Sequence, residues 1–374
     1  MKKILFFTKS EAFGGIEKVL LDYCNNMDSK KYDITVLNWF FCEEIKSQLN
    51  KNVKYKYIFK KKEPRGIGRI VRDLPSKIVH KIFIIDKYDV EIAFQEGYTH
   101  KIISGASSKT KKIAWFHINP NYFNFNEPLC RSKEKLEKML NNFDNLCFVS
   151  KFMKKWYEDS FSLDSNKLEV VYNPIDKEDV LNKSKEEITD IELDKNDFRI
   201  VCVGRLSVEK RFDRVINICR RIYEEGHRKI KLYIIGEGPQ KNDLVKLIEE
   251  FSASNYVKLI GFSRNPYKYI KNSSLLICAS DNIESFGLVV AEAMTLNTPV
   301  LSVKCGGPDE ILDNGKYGMI VENNELALYE GLLAIMNNKE LYNQYIYVEK
   351  NILNEFKIKR ITEQFDNIIN KKFY

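Results

Sequence analysis

The sequence predicts an α/β protein with two consecutive domains, each built on an open and mostly parallel sheet. The chain has 374 residues, more than a single hydrophobic core comfortably organises. Short β-rich runs alternate with amphipathic helical patterns along both halves, which is typical of parallel α/β sheets. A charged stretch separates the halves. We therefore predict one domain at residues 1–175, a solvated linker at 176–197 and a second domain at 198–356.

In the first half, apolar runs rich in β-branched and aromatic residues predict the strands. The amphipathic stretch Ile16–Met27 predicts the helix that follows the first of them. The half ends near Pro174, because the residue before a proline avoids helical geometry. The predicted strands are Lys3–Thr8, Asp33–Asn38, Val53–Phe59, Val90–Phe94, Lys112–His117 and Leu146–Ser150.

The second half repeats this organisation from Phe198 onwards. Two such sheets in succession imply a cleft between the domains, which is a common place for ligands. The predicted strands are Arg199–Val203, Lys231–Ile235, Val257–Ile260, Leu275–Ala279 and Val300–Val303. Helical patterns separate them at Val208–Glu225, Lys241–Phe251 and Leu288–Leu296.

The last segment, 357–374, carries apolar residues at three- and four-residue spacing. This spacing predicts an amphipathic helix with a buried stripe. The stripe consists of Ile358, Ile361, Phe365, Ile368 and Ile369.

Composition excludes several classes of protein. The hydrophobic share of 44% suits a packed globular enzyme, and no apolar run approaches the ~18 residues that span a bilayer. The apolar run at the N-terminus is short and meets Lys9 and Glu11, so it indicates a first strand rather than a signal peptide. We expect a cytoplasmic protein, and association with the inner face of the membrane is the alternative.

The eight cysteines are scattered without a CxxC pair, and the four histidines show no HExxH spacing. This pattern predicts reduced, partly buried thiols and no metal site. The net charge of +8 is modest and suits an anionic ligand, a nucleic acid or an acidic membrane surface. Because zinc-finger and RNP-like motifs are absent, nucleic acid ranks last among these partners.

The most specific motif follows the predicted strand Leu275–Ala279. Glu284 precedes a helix that we expect to begin near Phe286, and the unpaired first amides of such a helix favour an anion. Glu292 lies two turns further on, where a carboxylate among apolar neighbours needs a hydrogen-bonding partner such as a sugar or ribose hydroxyl. Taken alone, the pattern also fits an ordinary acid at a helix N-terminus followed by a solvent-facing glutamate.

Two cationic residues follow the first strand of the second half. The run Gly204-Arg205-Leu206-Ser207-Val208-Glu209-Lys210 places Arg205 and Lys210 where they can converge on a diphosphate. Exposed loop charges are the alternative interpretation. The turn Gly236-Glu237-Gly238-Pro239 closes the next strand and is a candidate for the wall of the base pocket, although loop geometry alone would explain it.

Two further candidates lie in the first half. Gly14 and Gly15 allow the backbone to approach a ligand at the start of the first helix, but they do not form a GxGxxG fingerprint, which disfavours an NAD-dependent enzyme. A tight turn is the alternative. His117 ends an apolar strand at the edge that faces ligands in this architecture, although a lone histidine is often structural.

Taken in order, these motifs resemble those of the retaining GT-B glycosyltransferases of the GT4 type. The resemblance covers nearly the whole chain and is strongest from Val201 to Val321. It implies the GT-B fold, two Rossmann-like domains facing each other across a cleft, with the final helix crossing back onto the first domain. Two positions depart from the family pattern: Ser285 and Asn297 stand where glycine is usual.

The resemblance also implies roles for the candidate residues. Arg205 and Lys210 would hold the donor diphosphate, Glu292 would bind the ribose, and Glu284 and His117 would contact the donor sugar. The remaining donor-binding positions would supply backbone groups or line the pocket: Gly14, Gly15, Gly236, Glu237, Phe286, Gly287 and Leu288.

The expected reaction is transfer of a hexosyl unit from a nucleoside-diphosphate sugar, with retention at the anomeric carbon. The expected nucleotide of the donor is UDP. The acceptor would be a glycan or a lipid-linked saccharide in cell-surface polysaccharide biosynthesis. No cofactor or metal is expected beyond the nucleotide-sugar donor, because Arg205, Lys210 and the helix N-terminus would replace the metal that other transferase folds use. The absence of a DxD motif between strands fits this expectation. A sugar-nucleotide epimerase or hydrolase on the same scaffold, and a non-catalytic nucleotide-sugar-binding subunit, remain as alternatives.

A basic amphipathic segment runs from Lys60 to Ile82. Isoleucines at helical spacing alternate with arginines and lysines, a pattern that suits docking on anionic lipid near a lipid-linked acceptor. Pro75 interrupts the pattern and predicts two shorter helices. A normal solvated helix is the alternative interpretation.

Overall fold

A computed structural model of the chain describes residues 1–10, 13–118, 132–281, 284–347 and 350–371. The chain divides into two compact units. The first consists of Met1–Pro174 together with Phe356–Tyr374, and the second of Ile175–Glu355. Each unit is an α/β structure around a parallel sheet, so the α/β class with two Rossmann-like domains is confirmed.

The sheet of the first unit has seven strands in the order β3-β2-β1-β4-β5-β6-β7, and all of their pairings are parallel. The central strands are buried on both faces, which explains their near-continuous apolar sequences. The strands are β1 (Lys2–Thr8), β2 (Tyr32–Phe40), β3 (Lys54–Phe59), β4 (Val90–Ala93), β5 (Lys111–Phe116), β6 (Asn145–Phe148) and β7 (Leu168–Val170).

Helices connect these strands and cover the sheet. They are α1 (Gly15–Asn26), α2 (Glu43–Gln48), α3 (Ile67–Asp73), α4 (Ser76–Phe83), α5 (Tyr98–Ile103), α6 (Lys133–Asn141) and α7 (Lys151–Ser160). The break between α3 and α4 falls at Leu74 and Pro75, as predicted, because proline cannot continue the preceding helix. The ring cluster of Tyr23, Phe94 and Trp115 marks the centre of the core.

The sheet of the second unit has six parallel strands in the order β10-β9-β8-β11-β12-β13. They are β8 (Phe198–Val203), β9 (Ile230–Ile235), β10 (Val257–Gly261), β11 (Leu275–Cys278), β12 (Val300–Val303) and β13 (Met319–Val321). The helices are α8 (Lys177–Lys183), α9 (Phe212–Glu224), α10 (Lys241–Glu250), α11 (Tyr267–Lys271), α12 (Leu288–Thr295), α13 (Gly307–Ile311), α14 (Glu325–Asn337) and α15 (Lys339–Tyr347).

The structure differs from the sequence prediction at three of the predicted segments. The helical pattern Val208–Glu225 divides into a 3-10 turn, Val208–Lys210, and α9, because Arg211 between them adopts a left-handed conformation with φ of 51°. The helix expected near Phe286 begins at Leu288. Part of the segment predicted as a solvated linker is helical, since Asp176 caps α8 by accepting from the Asp179 amide.

The final helix, α16 (Ile358–Asn370), belongs to the first unit. Four of its five predicted stripe residues are buried, and Ile358 is half-buried. Phe365 packs with ring-centroid distances of 4.9 Å to Trp115 and 5.5 Å to Tyr23. The Lys111 ammonium donates to the carbonyl of Lys371 at 2.8 Å, so it satisfies a carbonyl that the helix end leaves unpaired.

Candidate functional site

An ion pair between Lys210 and Glu284 lies at the carboxyl edge of the second sheet. Lys210 Nζ donates to Glu284 Oε2, although the two residues are 74 positions apart in sequence. Burial lowers the pKa of Lys210, but attraction to the Glu284 carboxylate and their hydrogen bond raise it by more, so the net pKa lies above its ordinary value. Lys210 therefore remains a cation at neutral pH.

The backbone of Glu284 is fixed by the loop that follows β12. Its amide donates to the Cys305 carbonyl at 3.1 Å, and its own carbonyl accepts from the Gly307 amide at 2.8 Å. Ser280 Oγ donates to the carboxylate at 3.3 Å. These contacts hold the carboxylate in place from both sides, so Glu284 is a fixed group rather than a mobile loop acid. Asn282 and Ile283 lie outside the described residues.

The start of α12 follows Glu284 directly. Phe286 is buried, and Gly287 forms the N-cap in a left-handed conformation with φ of +93°. A side chain at position 287 would also meet the ring of Pro308 at 2.9 Å, so only glycine fits here. Leu288 is the first residue of the helix. The first amides of such a helix, together with its dipole, favour an anion.

Glu292 lies on α12 and is only 5% exposed. The Tyr267 hydroxyl, at the start of α11, donates to its Oε1 at 3.1 Å. The buried carboxylate therefore has a hydrogen-bonding partner within the protein, whereas the sequence analysis expected a sugar or ribose hydroxyl in this role. The alternative of a solvent-facing glutamate at this position is wrong.

The loops after β8 and β9 pack against each other through their backbones. A Cβ at Gly236 would lie 1.8 Å from the Gly204 carbonyl oxygen, so position 236 must be glycine. The amide of Leu206 donates to the carbonyl of Glu237 at 3.0 Å, which fixes the Arg205 loop. Arg205 is exposed, and in the described part of the chain its guanidinium makes no hydrogen bond or ion pair. The Glu237 side chain is also exposed, and it accepts from Lys241 at 2.7 Å.

Sequence reasoning missed the residues that support this loop system. Asp281 pairs with both Arg211 and Arg214 at 3.4 Å, and its amide donates to the Glu209 carbonyl at 2.9 Å. Asn323 donates to the Ser280 carbonyl at 3.2 Å. These contacts tie the segment carrying Lys210 to the segment carrying Glu284. They join distant parts of the sequence, so no local pattern could reveal them.

Two buried thiols lie close to the ion pair. The sulfur atoms of Cys278 and Cys305 are 4.0 Å apart, and neither cysteine forms a disulfide. All seven described cysteines are free and buried, in keeping with the predicted reduced thiols, while Cys130 lies outside the described residues. In the described ranges, no group of three or more histidine, cysteine or acidic residues is arranged to hold a metal ion.

Gly14 and Gly15 lie at the carboxyl edge of the first sheet. Gly14 is the N-cap of α1 and Gly15 its first residue; both are exposed. Glu17, one turn further on, is buried and accepts from Ser10 Oγ. Burial raises the pKa of Glu17, and the hydrogen bond from Ser10 opposes that effect. A polar cluster that the sequence did not signal therefore adjoins the two glycines.

His117 directly follows β5 in the first unit, as predicted. Its ring is 8% exposed, lies 4.7 Å from the Phe94 ring and stacks on Trp115 at 5.9 Å. Burial lowers the pKa of His117 to about 3, so the imidazole is neutral at physiological pH. The amide of His117 donates to Glu96 Oε1 at 2.6 Å. Sequence reasoning had not singled out Glu96.

Together, the predicted residues form two sets. Gly14, Gly15 and His117 belong to the first unit, and the other predicted residues belong to the second. Within the second unit, Lys210 and Glu284 are in direct contact and adjoin the start of α12. Such an arrangement suits a bound anion with a hydroxyl-bearing group beside it. No helix in the described ranges has the length and apolarity needed to span a membrane.

Two family models match the chain and together cover most of it. Residues 13–179 match the model described as Glycosyltransferase Family 4. Residues 183–351 match the model described as Glycosyl transferases group 1. The border between the two matches lies close to the border between the two structural units.

The sequence is also similar to that of a named glycosyltransferase. The chain is 32% identical over 188 residues to an N-acetylgalactosamine-N,N'-diacetylbacillosaminyl-diphospho-undecaprenol 4-alpha-N-acetylgalactosaminyltransferase of Campylobacter jejuni. This alignment covers 50% of the chain and 49% of the relative, so the chain spans about half the length of that protein.

Two solved structures resemble the whole chain. Anabaena Alr3699/HepE, in complex with UDP and glucose, superposes with a TM-score of 0.77 at 17% identity and full coverage of both chains. A mutant of Staphylococcus aureus TarM, in complex with Fondaparinux, alpha-GlcNAc-glycerol and UDP, gives 0.74 at 13% identity, covering 99% of this chain and 100% of TarM. At these identities the likeness establishes the fold.

Proposed function

The chain belongs to the GT-B glycosyltransferases of the GT4 type, and on this premise we propose that it transfers a hexosyl unit from a UDP-sugar. The acceptor is a glycan or a lipid-linked saccharide, and the anomeric configuration is retained. The product belongs to cell-surface polysaccharide biosynthesis. The C. jejuni relative, named for an acceptor on diphospho-undecaprenol, and the UDP complexes of the solved neighbours support this assignment.

The observation that carries the proposal is the contact of Lys210 with Glu284 beside the start of α12. The bond that breaks joins the sugar to a diphosphate, so negative charge develops on the leaving group. Lys210, Arg205 and the first amides of α12 would stabilise that charge, which is a large catalytic term in enzymes of this kind. Because these groups supply positive charge, the proposed reaction needs no metal ion.

The other candidate residues would bind different parts of the donor. Glu292, held by Tyr267, would bind the ribose hydroxyls, and Glu284 would contact the sugar near the reacting carbon. Retention follows from attack on the same face as the departing diphosphate, with that diphosphate taking the proton of the acceptor hydroxyl. A carboxylate nucleophile in a double displacement is the competing route.

Substitution of Lys210 by alanine tests the proposal. We expect kcat/KM to fall by at least ~10²-fold, a typical loss when one donor to a developing anion is removed. The measurement is UDP release from a panel of UDP-sugars with and without acceptor, in the presence of a chelator. Lys316→Ala is the control, because Lys316 is an exposed lysine that pairs with Asp313 elsewhere in the second unit. Near-normal turnover of Lys210→Ala would remove Lys210 from the mechanism.

Product analysis in the same assay separates the alternatives. A transferase consumes donor productively only with an acceptor, a hydrolase releases free sugar without one, and an epimerase returns a different nucleotide sugar. A non-catalytic binding subunit would bind the donor and leave it unchanged. Each of these last three outcomes contradicts the proposal in a recognisable way.

We further propose that the first unit docks on an anionic lipid surface through α3 and α4. Ile78 and Ile82 lie one turn apart on α4 and are 47% and 50% exposed, and Ile85 beyond the helix is 90% exposed. The exposed Lys77 and Lys81 lie beside them. An apolar face flanked by lysines suits the boundary between lipid head groups and acyl chains.

A neighbouring open cavity of about 440 Å³ adds positive charge to the same region. It is formed by α3, α4, α5 and α6, and the cationic residues that line it are Arg72, Lys101, Lys135 and Lys138. One aspartate, Asp73, pairs with Arg72 at 2.8 Å. The excess of lysines complements an anionic head group, which is why we commit to acidic phospholipid as the partner.

Vesicle flotation at low salt tests the docking proposal. We expect the protein to float with vesicles containing acidic phospholipid and not with neutral ones. The double variant Lys77→Ala/Lys81→Ala should bind about 30-fold more weakly, since each lysine near such a surface contributes ~1 kcal/mol. Val245→Gln, at an exposed apolar position of α10 in the second unit, is the control. If the wild type does not float with acidic vesicles, the docking proposal is wrong.

A further inference from the structure

A buried glutamate of the first unit holds the segment that contains His117. Glu96 lies just beyond the carboxyl end of β4 and is 7% exposed. Its Oε1 accepts from the amides of His117 at 2.6 Å and of Ile118 at 2.7 Å. Two hydrogen bonds from consecutive amides to one oxygen fix the chain where it leaves β5, and they fix the imidazole with it.

The second oxygen of this carboxyl group has no partner in the described part of the chain. Glu96 Oε2 is buried without a hydrogen bond, and so is His117 Nε2. A buried polar atom left unpaired destabilises a protein by about 1–3 kcal/mol, so folded proteins rarely keep such atoms without a reason. Both atoms belong to side chains that are more than nine-tenths buried, at the edge of the sheet that faces ligands in this architecture.

The chemistry of the imidazole follows from its other hydrogen bond. The ring bonds the backbone of Phe94, and because Nε2 is unpaired the bonding nitrogen is Nδ1. The Phe94 amide already donates to the Phe7 carbonyl, so the Phe94 carbonyl is the acceptor and Nδ1 carries the proton. His117 Nε2 is consequently a hydrogen-bond acceptor.

The chemistry of the carboxyl group is complementary. Burial raises the pKa of Glu96 to about 8, against the opposing effect of the two amides, so the group is protonated at neutral pH. Since Oε1 accepts two amides, the proton lies on Oε2, which becomes a donor. Among the described residues, its titratable neighbours are His117, whose amide it binds, and Tyr157 on α7; burial lowers the pKa of His117 to about 3 and raises that of Tyr157. None of these neighbours is a cation that would favour the ionised carboxylate.

We propose that Glu96 is a positioning residue for His117, and that Glu96 Oε2 and His117 Nε2 together bind a saccharide hydroxyl. A hydroxyl group both accepts and donates a hydrogen bond, so it matches one buried donor and one buried acceptor. The inference rests on the proposed glycosyl transfer, and the hydroxyl belongs either to the donor sugar or to the acceptor.

Kinetics as a function of pH test the pair in Glu96→Gln. Glutamine keeps an oxygen for the two amides and an N–H donor in place of Oε2, and it does not ionise. In the wild type, raising the pH from 6.5 to 9 should increase one KM about tenfold as the donor proton is lost. In Glu96→Gln that increase should be absent, because the amide has no proton to lose in this pH range. If the KM of the nucleotide sugar rises, the bound hydroxyl belongs to the donor sugar. If the KM of the acceptor rises, the bound hydroxyl belongs to the acceptor.

Glu91→Gln is the matched control, because Glu91 is a buried glutamate on β4 that bonds His80 at 2.7 Å. It should keep the alkaline rise of the wild type. An equal rise in Glu96→Gln, or the loss of the rise in both variants, would assign the titration to another group and overturn the inference. A KM that does not change with pH in the wild type would overturn it as well.

An infrared measurement separates this inference from the proposed function, because it needs no turnover. The spectrum of the wild type minus that of Glu96→Gln at pH 7 should contain the carbonyl stretch of a protonated carboxylic acid. That band should shift when a UDP-sugar or a free acceptor saccharide is added, and not with UDP alone. If the band is absent, or if no saccharide shifts it, Glu96 does not bind one. If the band is present and UDP does not bind at all, the proposed function fails while the charge state of Glu96 stands.

Discussion

Glu96 makes the stability of the first unit depend on pH in an unusual direction. Most carboxyl groups in folded proteins stabilise the fold as they ionise, but burial raises the pKa of Glu96 from the ordinary 4.5 to about 8. Between these two values the unfolded chain has already lost the proton and the folded chain has kept it. The unfolded state then binds fewer protons, so the free energy of unfolding falls as the pH rises.

The variant Glu96→Gln isolates this effect. From pH 4.5 to about 8, the wild type should lose stability relative to Glu96→Gln at up to about 1.4 kcal/mol per pH unit. Above pH 8 the difference should stay constant, because both states have then lost the proton. Urea unfolding at several pH values, followed by a probe in the first unit, measures it. A difference that grows in the opposite direction, or none, would mean that Glu96 is ionised in the folded protein.

At the scale of the elements, α16 completes the core of the first unit. Phe365 contacts the rings of Phe6, Tyr23 and Trp115, which come from three different elements of that unit. The apolar spacing predicted this helix and its buried face from the sequence. It could not show which rings the helix meets, because ring contacts depend on how the chain returns to β1 and β5.

Truncation of the central ring tests the role of the helix. Phe365→Ala should destabilise the first unit by about 3–5 kcal/mol, since it removes a fully buried aromatic side chain and leaves a cavity. Chemical denaturation with separate probes in the two units measures the loss. Phe262→Ala is the control, because Phe262 is 56% exposed and lies in the second unit. If Phe365→Ala unfolds like the wild type, α16 is only a surface attachment.

The loop between β11 and α12 shows where a local pattern stops being informative. The sequence predicted the strand, the polar loop and the acids Glu284 and Glu292. The partners of these acids, Lys210 and Tyr267, come from the segment after β8 and from the start of α11. The motif after β8 singled out Lys210 as a candidate cation, although not as the partner of Glu284, and no pattern supplied Tyr267.

For the whole molecule, the sequence predicted two parallel-sheet domains because buried parallel strands are apolar almost throughout. It missed β7 and β13, which have three residues each and are largely half-buried, too short for any period to show. It joined Val208–Lys210 to α9 because the left-handed turn at Arg211 leaves the apolar spacing unbroken. Glu96 escaped notice because a single glutamate after an apolar strand gives no signal until the fold buries it.

The return of α16 to the first unit also has a consequence for synthesis on the ribosome. The first unit leaves the exit tunnel first, yet Phe365 follows only after the entire second unit has been translated. Domains generally fold as units, and the earlier one usually folds first. Here the core of the earlier unit stays incomplete until α16 is synthesised, because Phe365 is needed to cover Tyr23 and Trp115. The later unit therefore completes its core while the earlier one is still exposed to chaperones.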